Sequence, residues 1–309
     1  MTARVVGDLD SGTFAARLAG GGVGLQVGPF GFRVGASCAE VARPLQSLYA
    51  DYPLLADAGV FHAHVRVRDV RRWLPRPRRV VRFEVDGRAP HEDMPAGQGL
   101  PVLEWGLNLV VALRYHCFLM FHAGVLERGG AGILLPAQPG RGKTTLCAAL
   151  AHRGFRLLSD EFGLVNPGST GLLPVPRPMP LKNESIAVIR EFVPEAVFGP
   201  VIHGTRKGTL AHVRVPRDSV ARMQEAAPVR FIVFPRWEKG AQLSLEPVSR
   251  ADAFMALATN AFNYEMLGEA AFETVGRLVR QAACFELRYS DLGAAVRALA
   301  ERLDGEGGP

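Results

Sequence analysis

Three short runs near the start of the chain alternate apolar and polar residues. Phe30-Gly31-Phe32-Arg33-Val34, residues 62–67 and residues 80–85 each place apolar side chains at every second position, the period of a half-buried strand. Asp86-Gly87 after the third is a turn. Residues 38–52 show a different period, with Val41, Leu45, Leu48 and Tyr49 on one helical face and Pro53 beyond its end. Residues 1–96 therefore read as a β-rich accessory domain. Residues 90–100, rich in proline, glycine and charge, read as its linker.

From residue 101 the pattern predicts alternating helices and strands. Leu103, Leu107, Val110 and Val111 fit a helix on which Glu104, Trp105 and Asn108 are unusual. Residues 118–121 form an apolar strand that delivers His122, and Arg128-Gly129-Gly130 turns into a second strand at 132–136. Residues 146–151 are apolar at helical spacing and stop at Gly154. Residues 155–158 lead as a strand into Ser159-Asp160-Glu161, and 164–166 and 172–175 flank a turn as a hairpin. Pro174, Pro176, Pro178 and Pro180 keep the next run extended, up to a helix through Ile186, Val188 and Ile189 that Asn183 caps. Residues 203–209 are a cationic, helix-free run. Residues 229–234 and 242–247 are expected to pair around Lys239-Gly240. Residues 250–282 are helical with a break near Gly268, 284–289 form a last strand, and Asp291 opens a terminal helix. The fold class is α/β, with a domain at 97–303 and a disordered tail at 304–309.

Composition narrows the class. The chain has 309 residues and a net charge of +6, which suits an anionic ligand but is not the footprint of a nucleic-acid binder. No apolar run is long enough to span a bilayer, because Arg114, His116 and His122 interrupt the best candidate. The N-terminus has no apolar signal core, and Cys38, Cys117, Cys147 and Cys284 are scattered. A cytoplasmic location and no membrane partner are expected, with Cys117 and Cys147 as small core residues. Arginines from Arg68 to Arg79, Arg76 among them, are broken by Pro75 and Pro77. They read as a solvated sheet edge rather than a patch for an acidic partner. His62 and His64 share a strand face with no third ligand in sight, which favours a structural role.

The chemistry centres on Ala137-Gln138-Pro139-Gly140-Arg141-Gly142-Lys143-Thr144-Thr145. Strand, glycine-rich turn and helix is the setting of the phosphate-binding pattern G-x-x-x-x-G-K-[ST], with Ala137 at its first glycine. Gly140 and Gly142 let successive N–H groups, with those of Arg141 and Thr145, turn toward phosphate oxygens. Lys143 would reach the β- and γ-phosphates of ATP and Thr144 would offer a hydroxyl to Mg²⁺. Ala137 is tolerable if its φ is negative. The chain has only four lysines, Lys143, Lys182, Lys207 and Lys239, so a lysine at this position is not filler. One helix and one strand later come Asp160 and Glu161, where a strand ends beside the loop. There Asp160 would take a proton from an acceptor hydroxyl, and Glu161 and Asp160 would be the acids that hold metal. Arg177, Lys182, Arg206 and Lys207 are candidate phosphate or acceptor contacts, the last two on a run that would close over triphosphate.

The short interval between lysine and acid resembles the HPr kinase/phosphorylase family, whose fold relatives include the ATP-dependent phosphoenolpyruvate carboxykinases. The resemblance rests on His122-Ala123-Gly124-Val125-Leu126, Gly140-Arg141-Gly142-Lys143-Thr144, Arg153-Gly154-Phe155-Arg156-Leu157-Leu158 and Ser159-Asp160-Glu161. It is stronger to the bacterial branch called HPr-kinase-related kinase A. Matching segments there include Glu104-Trp105-Gly106-Leu107-Asn108, Arg177-Pro178, Leu181-Lys182-Asn183-Glu184-Ser185-Ile186, Lys207-Gly208-Thr209 and Ala261-Phe262-Asn263-Tyr264. The resemblance implies a P-loop kinase domain using ATP and Mg²⁺. It makes Lys143 and Thr144 the nucleotide and metal positions, Asp160 the general base, Glu161 the counterpart of a second aspartate, and His122 a neighbour of phosphate and acceptor. Ala137 and Pro139 depart from the family's glycine and serine, and the later segment that shapes its acceptor chemistry has no aligned counterpart. The implied reaction is transfer of the γ-phosphoryl group to a hydroxyl of a protein, a peptide or a small compound. An ATP-binding scaffold of a peptide-modification system is the rival from another class. A nucleotide switch is disfavoured by the lack of an Asn-Lys-x-Asp motif. The family often assembles into rings, so a homo-oligomer is open.

Overall fold

The computed structural model describes residues 4–73, 77–138 and 140–306. Pro75 and Arg76 of the basic run, Pro139 of the glycine loop and residues 307–309 of the expected tail lie outside the described residues. The first part of the chain comprises α1 Ser11–Ala19, β1 Val23–Val27, β2 Phe30–Ala36, α2 Ala39–Leu48, β3 Leu54–Leu55, β4 Ala63–Arg72, β5 Arg78–Val85 and β6 Met94–Pro95. Its strands form one sheet in the order β3-β1-β2-β4-β5-β6. The three alternating runs are strands here, longer than the pattern suggested. α1 was not anticipated, although Asp10 caps it by accepting from the Thr13 N–H at 2.9 Å.

The described arginines of the run are solvent-exposed as expected, and they lie on a paired hairpin. Arg71 faces Arg79 and Arg72 faces Arg78 across β4 and β5. Such like-charge pairs disfavour pairing. Asp93 offsets them by taking Arg72 at 2.9 Å and Arg82 at 2.8 Å. His62 does not offer a ligand pair with His64, because its Nδ1 accepts from the Gly31 N–H at 2.9 Å.

The expected linker ends inside the molecule. Gln98, Gly99 and Leu100 are buried, and Gly99 opens α3 Gly99–Arg114, which lies on β4 and β5. Contact this close depends on a missing side chain: a Cβ on Gly106 would sit 2.1 Å from the Phe83 ring. Gly106→Val is therefore expected to lower unfolding free energy by about 1–3 kcal/mol or more, read from denaturant titration, since overpacked sites relax at that cost.

The remaining elements are β7 Leu119–Arg128, β8 Ala131–Pro136, α4 Lys143–Ala151, β9 Arg156–Ser159, β10 Phe162–Val165, β11 Gly171–Leu173, β12 Met179–Lys182, α5 Glu184–Phe192, β13 Ile202–Thr205 and β14 Gly208–Val213. After them come α6 Arg217–Ala221, β15 Ala227–Trp237, β16 Ser244–Pro247, α7 Arg250–Asn260, α8 Tyr264–Leu267, α9 Glu269–Gln281, β17 Ala283–Tyr289 and α10 Leu292–Glu306. The large sheet runs β11-β10-β7-β8-β15-β17-β16, with β9 on β7, and β12-β14-β13 form a small third sheet. The result is a mixed α/β architecture. Leu119, Phe121, Ala123 and Val125 pack with α7 and α9 on one face of the large sheet. Met120, Leu126, Ile133 and Leu135 pack with α4 and α10 on the other, in a core continuous with the N-terminal sheet.

Several expectations change. β15 and β16 do not pair with each other; β17 lies between them, parallel to β15 and antiparallel to β16. Residues 203–209 belong to the β13–β14 hairpin. Residues 304–306 continue α10, and Asp304 pairs with Arg128 at 2.7 Å. Cys147 is buried but Cys117 is exposed. Among the described residues no helix is long and apolar enough to cross a membrane.

A buried ion pair fastens β9 to β7. Arg156 Nε donates to Glu127 at 2.5 Å, both side chains almost wholly buried, and the Gly130 N–H donates to the same carboxylate at 2.6 Å. Burial pushes the Glu127 carboxyl up, but its bonds to Arg156 and Gly130 outweigh that and hold it below the usual range. Arg156→Leu strands a buried carboxylate and is expected to cost about 3–5 kcal/mol. The sign follows from the depressed value: the pair's stabilisation is complete above the ordinary carboxyl value and fades as pH falls through the lower folded one. Acid denaturation of wild type and variant should therefore converge at low pH.

Candidate active site

The glycine loop joins β8 to α4. Gly140 has φ 86° and Gly142 φ 85°, the left-handed region that favours glycine. Gly142 has a second constraint, since a Cβ there would lie 2.9 Å from both Trp237 Cβ and Tyr289 Oη. Ala137 does not take a positive φ, so alanine replaces glycine there without backbone strain. Gly142 is the N-cap of α4 and no side chain caps that end. The first-turn N–H groups of α4, near Thr144 and Thr145, are thus left for an anion, reinforced by the helix dipole. Arg141 is exposed. The glycine of His122-Ala123-Gly124 also has a packing reason: a Cβ on Gly124 would meet Cys147 Sγ at 2.2 Å, so β7 and α4 close up only with glycine.

Lys143 is buried and turns onto the acid. Its Nζ donates to the Asp160 carbonyl and stands 3.4 Å from Asp160 Oδ1. Burial disfavours the Lys143 charge, but Asp160 and Glu161 more than restore it, and its value is raised. Burial pushes the Asp160 carboxyl up and the Glu161 charge adds to this, against the pull of Lys143 and the neighbouring Thr144 hydroxyl. Asp160 Oδ2 is buried without a hydrogen-bond partner. A buried carboxylate oxygen with open lone pairs beside an uncapped helix and a threonine hydroxyl fits the donor set of a Mg²⁺–triphosphate. The bend that presents the two acids is held by Ser159, whose Oγ accepts from the Glu161 N–H at 3.3 Å and the Phe162 N–H at 3.1 Å. This role of Ser159 was not foreseen.

His122 sits directly opposite Phe162 on β7. Burial and Lys143 lower its value, which keeps the ring neutral near pH 7. Glu161 is pushed up by burial but pulled lower overall by Lys143, Lys207, His122 and Lys182. Three of the four lysines therefore act on one carboxylate. Lys182, half-buried, has its value lowered by burial and by Lys207. Lys207 lies 5.7 Å from the centre of the Trp105 ring.

The segments quoted for the resemblance meet in space. Arg177 donates to the Glu104 carbonyl at 3.0 Å and to Asn108 Oδ1, and its guanidinium is 3.3 Å from the Glu104 carboxylate. Its donors are thereby committed to α3. Asn183 is at the N-cap of α5 with φ 51°, but its side chain accepts from the Thr209 N–H at 3.0 Å instead of capping the helix. Asn263 accepts from the Met120 N–H at 3.1 Å and Asn260 donates to the His122 carbonyl at 3.1 Å, which holds Phe262 against the His122 ring at 5.7 Å. Arg206 is not brought in: it is exposed and lies 3.8 Å from Glu92. A groove of about 520 Å³ between α7 and α9, lined by Phe254 and Phe272, takes in none of these groups.

No family model matches the chain. No curated protein matches it either. Among solved structures, the Hpr(Ser) kinase/phosphatase from Coxiella burnetii is similar over 60% of this chain and 98% of its own, at 15% identity and a TM-score of 0.27. A likeness that loose carries no weight for the activity.

Proposed function

We propose that the chain is a phosphotransferase that moves the γ-phosphoryl group of ATP to a hydroxyl of a protein, peptide or small-molecule acceptor. The observation that carries the proposal is the buried Lys143–Asp160 pair at the mouth of a glycine loop whose helix is left uncapped. Lys143 exchanges Asp160 for phosphate oxygens when nucleotide enters, and the loop N–H groups of residues 140–145 bind the rest of the triphosphate. Thr144 and Glu161 would hold Mg²⁺, which would supply neutralisation of the phosphate charge. Asp160, released from Lys143, accepts the proton of the acceptor hydroxyl as its oxygen bonds to the γ-phosphorus. The bond from that phosphorus to the β,γ-bridging oxygen breaks, and ADP leaves with the bridging oxygen. Lys182 and Lys207 supply positive charge where the acceptor and γ-phosphate meet, and the neutral His122 orients the acceptor.

The test is incubation of the purified chain with Mg²⁺ and ATP labelled in the γ-phosphate, together with lysate of its own organism. Labelled protein, or labelled small molecules, that vanish with Lys143→Ala establish transfer and the acceptor class. ATP binding without any transfer would overturn the kinase and leave an ATP-binding scaffold.

A further inference from the structure

The two acids lie on one side of the glycine loop in the sheet order. Asp160 and Glu161 follow β9, which pairs with β7, and β7 neighbours β8 on the side away from β15. If the γ-phosphate faces those acids, the nucleoside must leave on the opposite side, past the ends of β15 and β17. Those strands extend beyond β8. β8 pairs with β15 only as far as Leu134 with Ile232, whereas β15 and β17 stay paired to Trp237 and Tyr289. Their ends make a wall along the loop.

Trp237 is the prominent feature of that wall. Its N–H donates to the Arg141 carbonyl at 3.2 Å, its Nε1 donates to the Ser290 carbonyl at 3.3 Å, and it remains 45% exposed. The backbone is thus tied to the phosphate loop and the indole to Ser290, and the ring is still open to a ligand. A large aromatic held open in this way is costly to expose and preorganised to stack. Tyr289 Oη is buried without a hydrogen-bond partner, 2.9 Å from where a Gly142 Cβ would stand, so the neighbouring strand packs directly against the loop. Trp237 is thereby seated on a wall in contact with the phosphate loop.

We infer that Trp237 stacks on the nucleobase of the bound nucleotide. This rests on the proposed nucleotide site and adds the base subsite to it. Stacking is tolerant of base identity, so the wall selects nucleotides over bare polyphosphate more than it selects adenine over guanine.

The experiment is calorimetric titration of the full chain with Mg-ATP, Mg-GTP and magnesium tripolyphosphate, for wild type, Trp237→Ala and Trp237→Phe. Trp237→Ala is expected to weaken both nucleotides about 10- to 100-fold, as removal of a base-stacking aromatic does, and to leave tripolyphosphate within about twofold. Trp237→Phe should keep most of the affinity. Unchanged nucleotide affinity in Trp237→Ala overturns the inference and leaves the phosphate site standing. An equal loss for nucleotides and tripolyphosphate also overturns it, because it shows a collapsed loop. A wild-type chain that binds no nucleotide removes the proposed function and this inference together.

Discussion

Lys143→Ala should abolish transfer, with turnover down at least about 10²–10³-fold and ATP affinity lost in parallel. Loss of one preorganised charge at a site of developing negative charge has that scale. Here the effect is compounded. Lys143 is the buried cation that lowers the Asp160 value, while burial and Glu161 raise it. Without Lys143 the Asp160 value rises further, which favours the protonated carboxyl, a form that cannot accept a proton. Lys143→Arg should fail as well, because a rigid guanidinium does not fit a pocket shaped for a compact ammonium. Titration with ATP and a radiolabel transfer assay measure both quantities. Wild-type affinity within about twofold in Lys143→Ala would remove the loop from nucleotide binding.

Asp160→Asn should separate binding from chemistry. The amide keeps the shape of the carboxyl, and Lys143 keeps its bond to the Asp160 carbonyl, so ATP is expected to bind. Transfer should fall by about 10²–10⁴-fold, the contribution of a positioned general base. The pH profile gives an independent check. Because the Asp160 value is raised from 3.8 by burial, the acid limb of kcat/KM should lie above that of an ordinary aspartate, with activity rising as the carboxyl ionises. The variant should lack this limb. Transfer unchanged in Asp160→Asn would assign the base to another group, with His122 the next in reach.

Much of the large sheet and of the loop was legible in the chain. Strands buried on both faces write continuous apolar runs, and Gly140 and Gly142 occupy left-handed backbone conformations that favour glycine. The use of lysine was the sharpest signal, since Lys143, Lys182 and Lys207 converge on Glu161 in a chain otherwise cationic through arginine. Other features were not visible. The pairing of β17 between β15 and β16 is a matter of topology, and an alternating run does not name its partner. Arg177 resembled a phosphate ligand because the sequence does not show that Glu104 and Asn108, a turn apart on α3, wait to receive it. Asn183 had the composition of a helix cap, yet its backbone lies in the left-handed region and turns the amide to Thr209. The role of Trp237 follows from strand length past β8, which periodicity alone does not fix.

The place of β17 has a consequence for synthesis. The glycine loop leaves the ribosome well before Ala283–Tyr289, the strand that braces its far wall. Until β17 is in place, the Trp237 end of β15 has no strand beside it and β16 has no strand partner among the described residues. A nascent chain stalled before residue 283 would carry the whole phosphate-binding motif with its central sheet edge open to other strands. Such a chain should be a better client for a chaperone than for a nucleotide.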